Sequence, residues 1–461
     1  MGQVRPVKRS LGGLAVLTAA AVAAGLILKR RGSPDPARRN PEGRKPHIVV
    51  AGAGFGGISA LQELSARISP DEADITLVDQ NNYHLFTPLL YQVATGGADS
   101  LNVTYPLRRF CATRGIQFVC SRIYGVNPMD KVITTAAGQM TFDYLLLGLG
   151  SQTNYFGMPE VEERSYSLKS IPDANQLHRQ IVRNFELAAQ TRDINERRQL
   201  LTFIVVGGGA TGIELTGSLH ELVQHNLVRY YPEINEDDVR ISLVEASDHV
   251  LPGIHERIGE MALERFEEIG IDICLNRRVA GIRERSVITR DEERIPGDVI
   301  IWTAGIRPHP ITAGLPVEKA RDGRLAVDEH LRLPDYPFIF ALGDAAASLD
   351  PDTGEPLPPN AAVAVQEGAN AGANLARLVR GEPILPFTYK PMGELIALGR
   401  LKAAAELGPF VFDGLPAWLV WRVVYLTKLM GARNRAGLVL DWVASLFAQR
   451  TIVDTSNPAE E

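Results

Sequence analysis

Residues Lys45–Asp79 read KPHIVVAGAGFGGISALQELSARISPDEADITLVD. His47–Ala51 is a short β-branched apolar run, which suits a strand buried on both faces. It runs into Gly52-Ala53-Gly54-Phe55-Gly56-Gly57. Ile58–Ile68 then carries apolar residues at helical spacing, and Ile75–Val78 is a second buried-type strand closed by Asp79. Each part has a physical task. Gly52 permits the tight turn, Gly54 lets the backbone approach a pyrophosphate, and Gly57 lets helix and strand pack closely. The helix N-terminus offers free N–H groups and partial positive charge to phosphates, and Asp79 can accept from ribose hydroxyls. Its place between strand and helix, with an acid after the second strand, favours dinucleotide binding over a structural glycine turn.

The pattern occurs again. Leu201–Val206 is a buried strand, Gly207-Gly208-Gly209-Ala210-Thr211-Gly212 is the turn, Ile213–Asn226 is helical, and Val239–Val244 ends at Glu245. Gly207, Gly209 and Gly212 repeat the first spacing. The path to the acid is lengthened by a polar connection, Leu227–Asp238, beyond the roughly 20 residues usual for this unit. Both copies keep glycines and terminal acid, so two working sites are expected, in an α/β fold with two Rossmann-like domains. Their task is to bring two redox rings together, because the chemistry of a dinucleotide belongs mainly to the cofactor.

The chain has 461 residues and a net charge of −6, enough for two to four domains and contrary to a nucleic-acid-binding protein. The first 45 residues nevertheless carry ten basic groups against Asp35 and Glu42. Within them Leu11–Leu28 is uncharged and apolar, flanked by basic residues. As a helix it measures about 27 Å, close to the ~30 Å bilayer core. It is read as an N-terminal membrane anchor followed by a polar linker, with the basic excess keeping the C-terminal side cytoplasmic. A cleaved or organellar targeting segment is the alternative. Cys111, Cys120 and Cys274 are scattered without a CxxC pair, so neither disulfides nor a redox dithiol are expected. No metal site is expected.

Further motifs follow. Asn82–Gly97, NYHLFTPLLYQVATGG, mixes aromatics, Gln and small residues as a lining for a flat ring would. Phe142–Leu147 is a strand running into Gly148-Leu149-Gly150, whose counterpart is Asp298–Trp302 with Thr303-Ala304-Gly305. Ser167–Asp173 is a crossover between the two units. Ile339–Leu342 leads to Gly343 and Asp344, whose carboxylate suits a sugar-alcohol hydroxyl or the N-cap of an Ala-rich stretch. Pro358–Leu378 is a small-residue helix expected to lie close to something flat. Leu415–Arg450 carries Trp418, Trp421, Tyr425, Trp442 and Phe447, with Arg422 and Lys428 interrupting the apolar runs. That composition suits helices lying in a headgroup zone rather than crossing a bilayer. The competing reading packs them on their own domain or on a second subunit, as a homodimer.

Together, Gly52–Gly57, NYHLFTPLLYQVATG (Asn82–Gly96), LGSQTNYFG (Leu149–Gly157), GGGATGIEL (Gly207–Leu215), WTAGIRP (Trp302–Pro308), FALGDAA (Phe340–Ala346) and MGARNR (Met430–Arg435) resemble the type II, non-proton-pumping NADH dehydrogenases. The resemblance spans nearly all the chain beyond residue 45. It implies an FAD enzyme passing electrons from NADH to a membrane quinone. FAD would be held by Gly52, Gly54, Gly57, Asp79, Gly150, Gly343 and Asp344. NADH would be held by Gly207, Gly209, Gly212 and Glu245, whose charge disfavours NADPH. Glu214 would lie near the meeting of the two rings. The implied domains are 1–45 anchor and linker, 46–166 and 306–390 FAD-binding, 167–305 NADH-binding, and 391–461 membrane association.

The chain departs from the family's pattern at two positions: Ala362 stands where many members carry the first Gln of Ala-Gln-x-x-x-Gln, and Met392 stands for a Lys. Gln366 remains; Gln366, Gln92 or backbone groups are assigned to the quinone carbonyls, with Glu214 and Glu367 as the candidate proton donors. The expected site is the cytoplasmic face of a bacterial inner membrane, or an organellar inner membrane. Rival readings are a flavoprotein reductase serving a protein acceptor and a redox-sensing nucleotide binder. A sulfide:quinone oxidoreductase is disfavoured because the cysteines are misplaced.

Overall fold

A computed structural model describes residues 44–447 together with Arg450 and Val453. The Leu11–Leu28 anchor lies outside the described residues. Among those described, no helix is long and apolar enough to cross a membrane.

The first apolar runs form a six-stranded sheet in the order Arg332–Leu333, Tyr336–Ala341, Tyr144–Leu147, His47–Ala51, Asp74–Asp79, Gln117–Cys120. All neighbours are parallel except the first pair. Strand order reverses between His47–Ala51 and Tyr144–Leu147, which opens a crevice at their C-terminal ends, the usual ligand position in such sheets. A second, all-parallel sheet runs Asp272–Cys274, Arg240–Val244, Thr202–Val206, Val299–Trp302. Each unit also carries a three-stranded antiparallel meander, Ile123–Thr141 in the first and Val279–Pro296 in the second. The inward residues of both sheets are almost wholly buried aliphatics, consistent with strands covered on both faces.

The small-residue helix is Ala361–Arg380, and what it approaches is another helix, Phe55–Arg67, rather than a flat ring. A side chain on Gly368 would strike the Gly56 carbonyl, and one on Gly372 the Ala60 carbonyl. Ser59 Oγ donates to the Val365 carbonyl across the same contact.

After residue 390 the chain forms the antiparallel strands Glu394–Ala397, Ala403–Leu407 and Phe410–Asp413, then the helices Gly414–Lys428 and Ala432–Phe447. Ala417, Trp418 and Trp421 of the first helix face inward, while Leu415, Leu419 and Val423 are exposed at helical spacing on the other side.

Candidate functional site

The two glycine turns are built alike. Gly52 and Gly207 adopt φ of +102° and +111°, which side chains rarely tolerate. A Cβ on Gly207 would lie 2.7 Å from Ala304 Cα, and one on Gly52 would run into the Gly148 carbonyl. Gly57 and Gly212 pack directly on the carbonyls of Gly52 and Gly207. By contrast, Gly209 has nothing within 4 Å of its missing side chain, and Gly54 only Gly148 O at 3.9 Å. These two glycines are the N-caps of the helices Phe55–Arg67 and Ala210–Leu222. Neither helix has a side-chain cap or an acid in its first turn. Free N–H donors, positive helix-dipole ends and open space coincide at both places, which fits a pyrophosphate.

The closing acids also match. Asp79 accepts from the Ala53 N–H at 2.7 Å and the Asn81 N–H at 2.7 Å. Burial pushes its pKa up, opposed by those two donors. Glu245 accepts from the Gly208 N–H at 2.6 Å and the Ser247 N–H at 2.8 Å. Each acid therefore ties its strand end to its own glycine turn, where the ribose of a bound dinucleotide would compete for the same oxygens.

The crevice of the first unit is completed by Gly150, with φ +68°, and by Gly343, with φ +62°. Asp344 does not cap a helix. It sits in a short 3₁₀ turn, Gly343–Ala345, and accepts from Ser151 Oγ at 2.6 Å. Glu367, 1 % exposed, accepts from the Gly343 N–H at 2.6 Å and from Ser348 Oγ at 2.5 Å, which fixes that turn. Burial pushes its pKa up to about 7.

Glu214 lies on the nucleotide helix of the second unit, 6 % exposed, and accepts from the Ala397 N–H at 3.2 Å. Burial raises its pKa to about 8, so the carboxyl carries a proton at neutral pH. It lines a cavity with Tyr91, Gln92, Trp421, Arg422 and Trp442. Trp421 stacks on Tyr425 at 4.2 Å, and Trp442 Nε1 donates to Gln92 Oε1 at 2.8 Å. The Arg422 guanidinium lies between the Trp418 and Trp442 rings, at 4.1 and 4.3 Å. Arg450 pairs with Glu221 at 2.5 Å at the edge of the same cavity. The loop Asn82–Gly97 thus meets the C-terminal helices, and its Leu90–Ala94 helix is fully buried.

Gln366 is placed differently. Its amide donates to the Lys390 carbonyl at 2.9 Å and accepts from the Lys390 N–H at 3.0 Å, so both ends are engaged with backbone. Met392 is 51 % exposed. The bond of Ser151 to Asp344 and that of Trp442 to Gln92 join residues 193 and 350 apart, which no spacing marks.

Two uncapped glycine turns, each closed by an acid and joined in one chain, define a flavoprotein-type oxidoreductase with two dinucleotide-binding units. Residues 46–368 match the family model "Pyridine nucleotide-disulphide oxidoreductase", and residues 392–451 match "NDH2 C-terminal domain". A probable NADH dehydrogenase of Dictyostelium discoideum is 31 % identical over 417 residues, covering 88 % of this chain and 90 % of that protein. A type II NADH:quinone oxidoreductase of Mycobacterium tuberculosis is 31 % identical over 423 residues, covering 88 % and 89 %. The structure of NDH2 from Plasmodium falciparum in complex with NADH superposes with a TM-score of 0.82 at 22 % identity, covering 89 % of this chain and 100 % of that one. The chain belongs to the type II NADH dehydrogenase family.

Proposed function

We propose that this protein is an NADH:quinone oxidoreductase that uses FAD and does not pump protons. The observation that carries the reading is the pair of open, uncapped helix N-termini at Gly54 and Gly209 within one chain. When bound, FAD supplies two-electron chemistry between NADH and quinone. The remaining tasks fall to side chains. Gly52, Gly54, Gly57 and Asp79 hold the FAD pyrophosphate and adenosine ribose, while Gly150, Gly343 and Asp344 hold its ribityl end. Gly207, Gly209, Gly212 and Glu245 hold NADH, and the Glu245 carboxylate repels a 2′-phosphate. This division makes 46–166 and 306–390 the FAD domain and 167–305 the NADH domain.

Glu214 is a protonated carboxyl at the edge of the cavity shared with the C-terminal helices, which suits it to supply a proton to the reduced quinone. The quinone enters between Asn82–Gly97 and the C-terminal helices. Gln92, Glu214 and the aromatic donors are among the polar groups of that route, with Arg422, Glu221 and Arg450. Gln366 joins them only by releasing the Lys390 backbone. Leu415, Leu419 and Val423 rest in the headgroup region of the cytoplasmic face of a bacterial inner membrane, or of an organellar inner membrane.

The test is the absorption spectrum of the purified protein. NADH bleaches a flavin band, and a ubiquinone or menaquinone analogue restores it. Bleaching without recovery would refute the quinone as acceptor and favour a protein acceptor.

A further inference from the structure

Lys169 has no part in either glycine turn or closing acid. It belongs to the crossover between the two units, yet its Nζ donates to Ser151 Oγ at 3.3 Å. Ser151 Oγ in turn donates to Asp344 Oδ2 at 2.6 Å. The backbone beneath it is fixed as well. The Lys169 N–H donates to Asp173 Oδ2 at 2.9 Å, and the same carboxylate closes the capping box with Ser170 at the start of the helix Ile171–Gln190. The ammonium is therefore carried on a rigid helix start.

Lys169 is exposed. Even so, burial pushes its pKa below the usual lysine range, with Asp344 drawing it part of the way back. Both observations hold when the accessible surface faces a concave cleft instead of open solvent. That cleft is the one bounded by the Gly150 and Gly343 turns, and Gly150 has nothing within 4 Å of its missing side chain. The serine hydroxyl separates cation from anion: it takes Asp344 Oδ2 and leaves Oδ1 for a ribityl hydroxyl.

We propose that Lys169 is a positioning residue for the flavin: through Ser151 it fixes Asp344, and its charge makes the bound flavin easier to reduce. This rests on the FAD reading given above. Reduction adds negative charge to the ring system, and a fixed cation in a partly desolvated cleft favours that state.

The test is the flavin midpoint potential of the full-length holoprotein, measured by dye-equilibrated titration for wild type, Lys169→Gln, Lys169→Arg and Ser151→Ala. Lys169→Gln, which keeps a donor to Ser151 without the charge, is expected to hold flavin at a more negative potential. Lys169→Arg is expected to stay at the wild-type potential. Ser151→Ala is expected to fall in the same direction by less. A wild-type potential in Lys169→Gln overturns the proposal. If that variant sheds its flavin, Ser151→Ala carries the measurement, and a wild-type potential there overturns it equally. Absence of released flavin from denatured wild-type protein would instead refute the underlying FAD reading, a separable outcome.

Discussion

Glu214 Oε1 accepts the backbone N–H of Ala397 at 3.2 Å, joining the nucleotide helix of the second unit to the first strand of the C-terminal region. Glu214 is thus seated by the segment that leads to the C-terminal helices. Replacing it with Gln keeps the shape and removes the exchangeable proton. Quinone turnover is expected to fall by about 100-fold, while NADH still bleaches the flavin at the wild-type rate. Stopped-flow and steady-state assays on one preparation separate the two.

The same carboxyl makes stability depend on pH. Its folded pKa, about 8, lies above the ordinary value of 4.5, so the folded protein binds a proton that the unfolded chain releases. Stability from this group is full below 4.5 and is lost as pH rises toward 8, at about 1.4 kcal/mol per unit. The Tm of Glu214→Gln relative to wild type should therefore climb between pH 5 and pH 8 and level off above. Thermal melts across that window check the sign.

The glycine turns predict separable losses. In Gly57→Ala the new methyl meets the Gly52 carbonyl, and in Gly212→Ala it meets the Gly207 carbonyl. Gly57→Ala should lose FAD, read as the flavin-to-protein absorbance ratio. Gly212→Ala should keep FAD and raise the KM for NADH by about tenfold or more, as expected when a charged hydrogen-bonding site worth ~1.5–3 kcal/mol is displaced.

Glu245→Gln removes the charge while leaving an oxygen for the Gly208 N–H. Preference for NADH over NADPH should shrink by about tenfold, since the carboxylate both accepts from ribose and repels the 2′-phosphate. The ratio of kcat/KM for the two nucleotides measures it.

Leu419 is 52 % exposed on the outer side of the Gly414–Lys428 helix. Leu419→Glu should leave Tm within about 0.5 kcal/mol equivalent of wild type and reduce co-sedimentation with lipid vesicles. Unchanged sedimentation, together with a concentration-dependent dimer, would assign the face to a second subunit.

Much of this was readable in the chain because its signals are local. A strand, a glycine turn and a terminal acid follow one another within 35 residues in the first unit and 45 in the second, and Gly52, Asp79, Gly207 and Glu245 occupy the turn and closing positions they predict. The sequence around Asp344 suits a cap or a hydroxyl acceptor, and its partner Ser151, 193 residues away, carries no mark of the contact. The glycines and alanines of Ala361–Arg380 call for close approach, but composition does not say to what, and the partner is a helix. Gln366 matched a family motif, whereas its amide is claimed by the Lys390 backbone, a contact that depends on how residues 381–390 fold back.

The contact between Phe55–Arg67 and Ala361–Arg380 also bears on synthesis. Ser59 and Val365 are bonded across 306 residues of sequence, with the whole second unit inserted between them. A nascent chain emerging from the ribosome must carry one flank of the Phe55–Arg67 helix bare until the return segment arrives. The sheet of the inserted unit, whose strands lie between Thr202 and Cys274 and at Val299–Trp302, closes earlier, although its nucleotide helix waits for Ala397. A sheet made midway along the chain can therefore close before the first of the described helices is sealed.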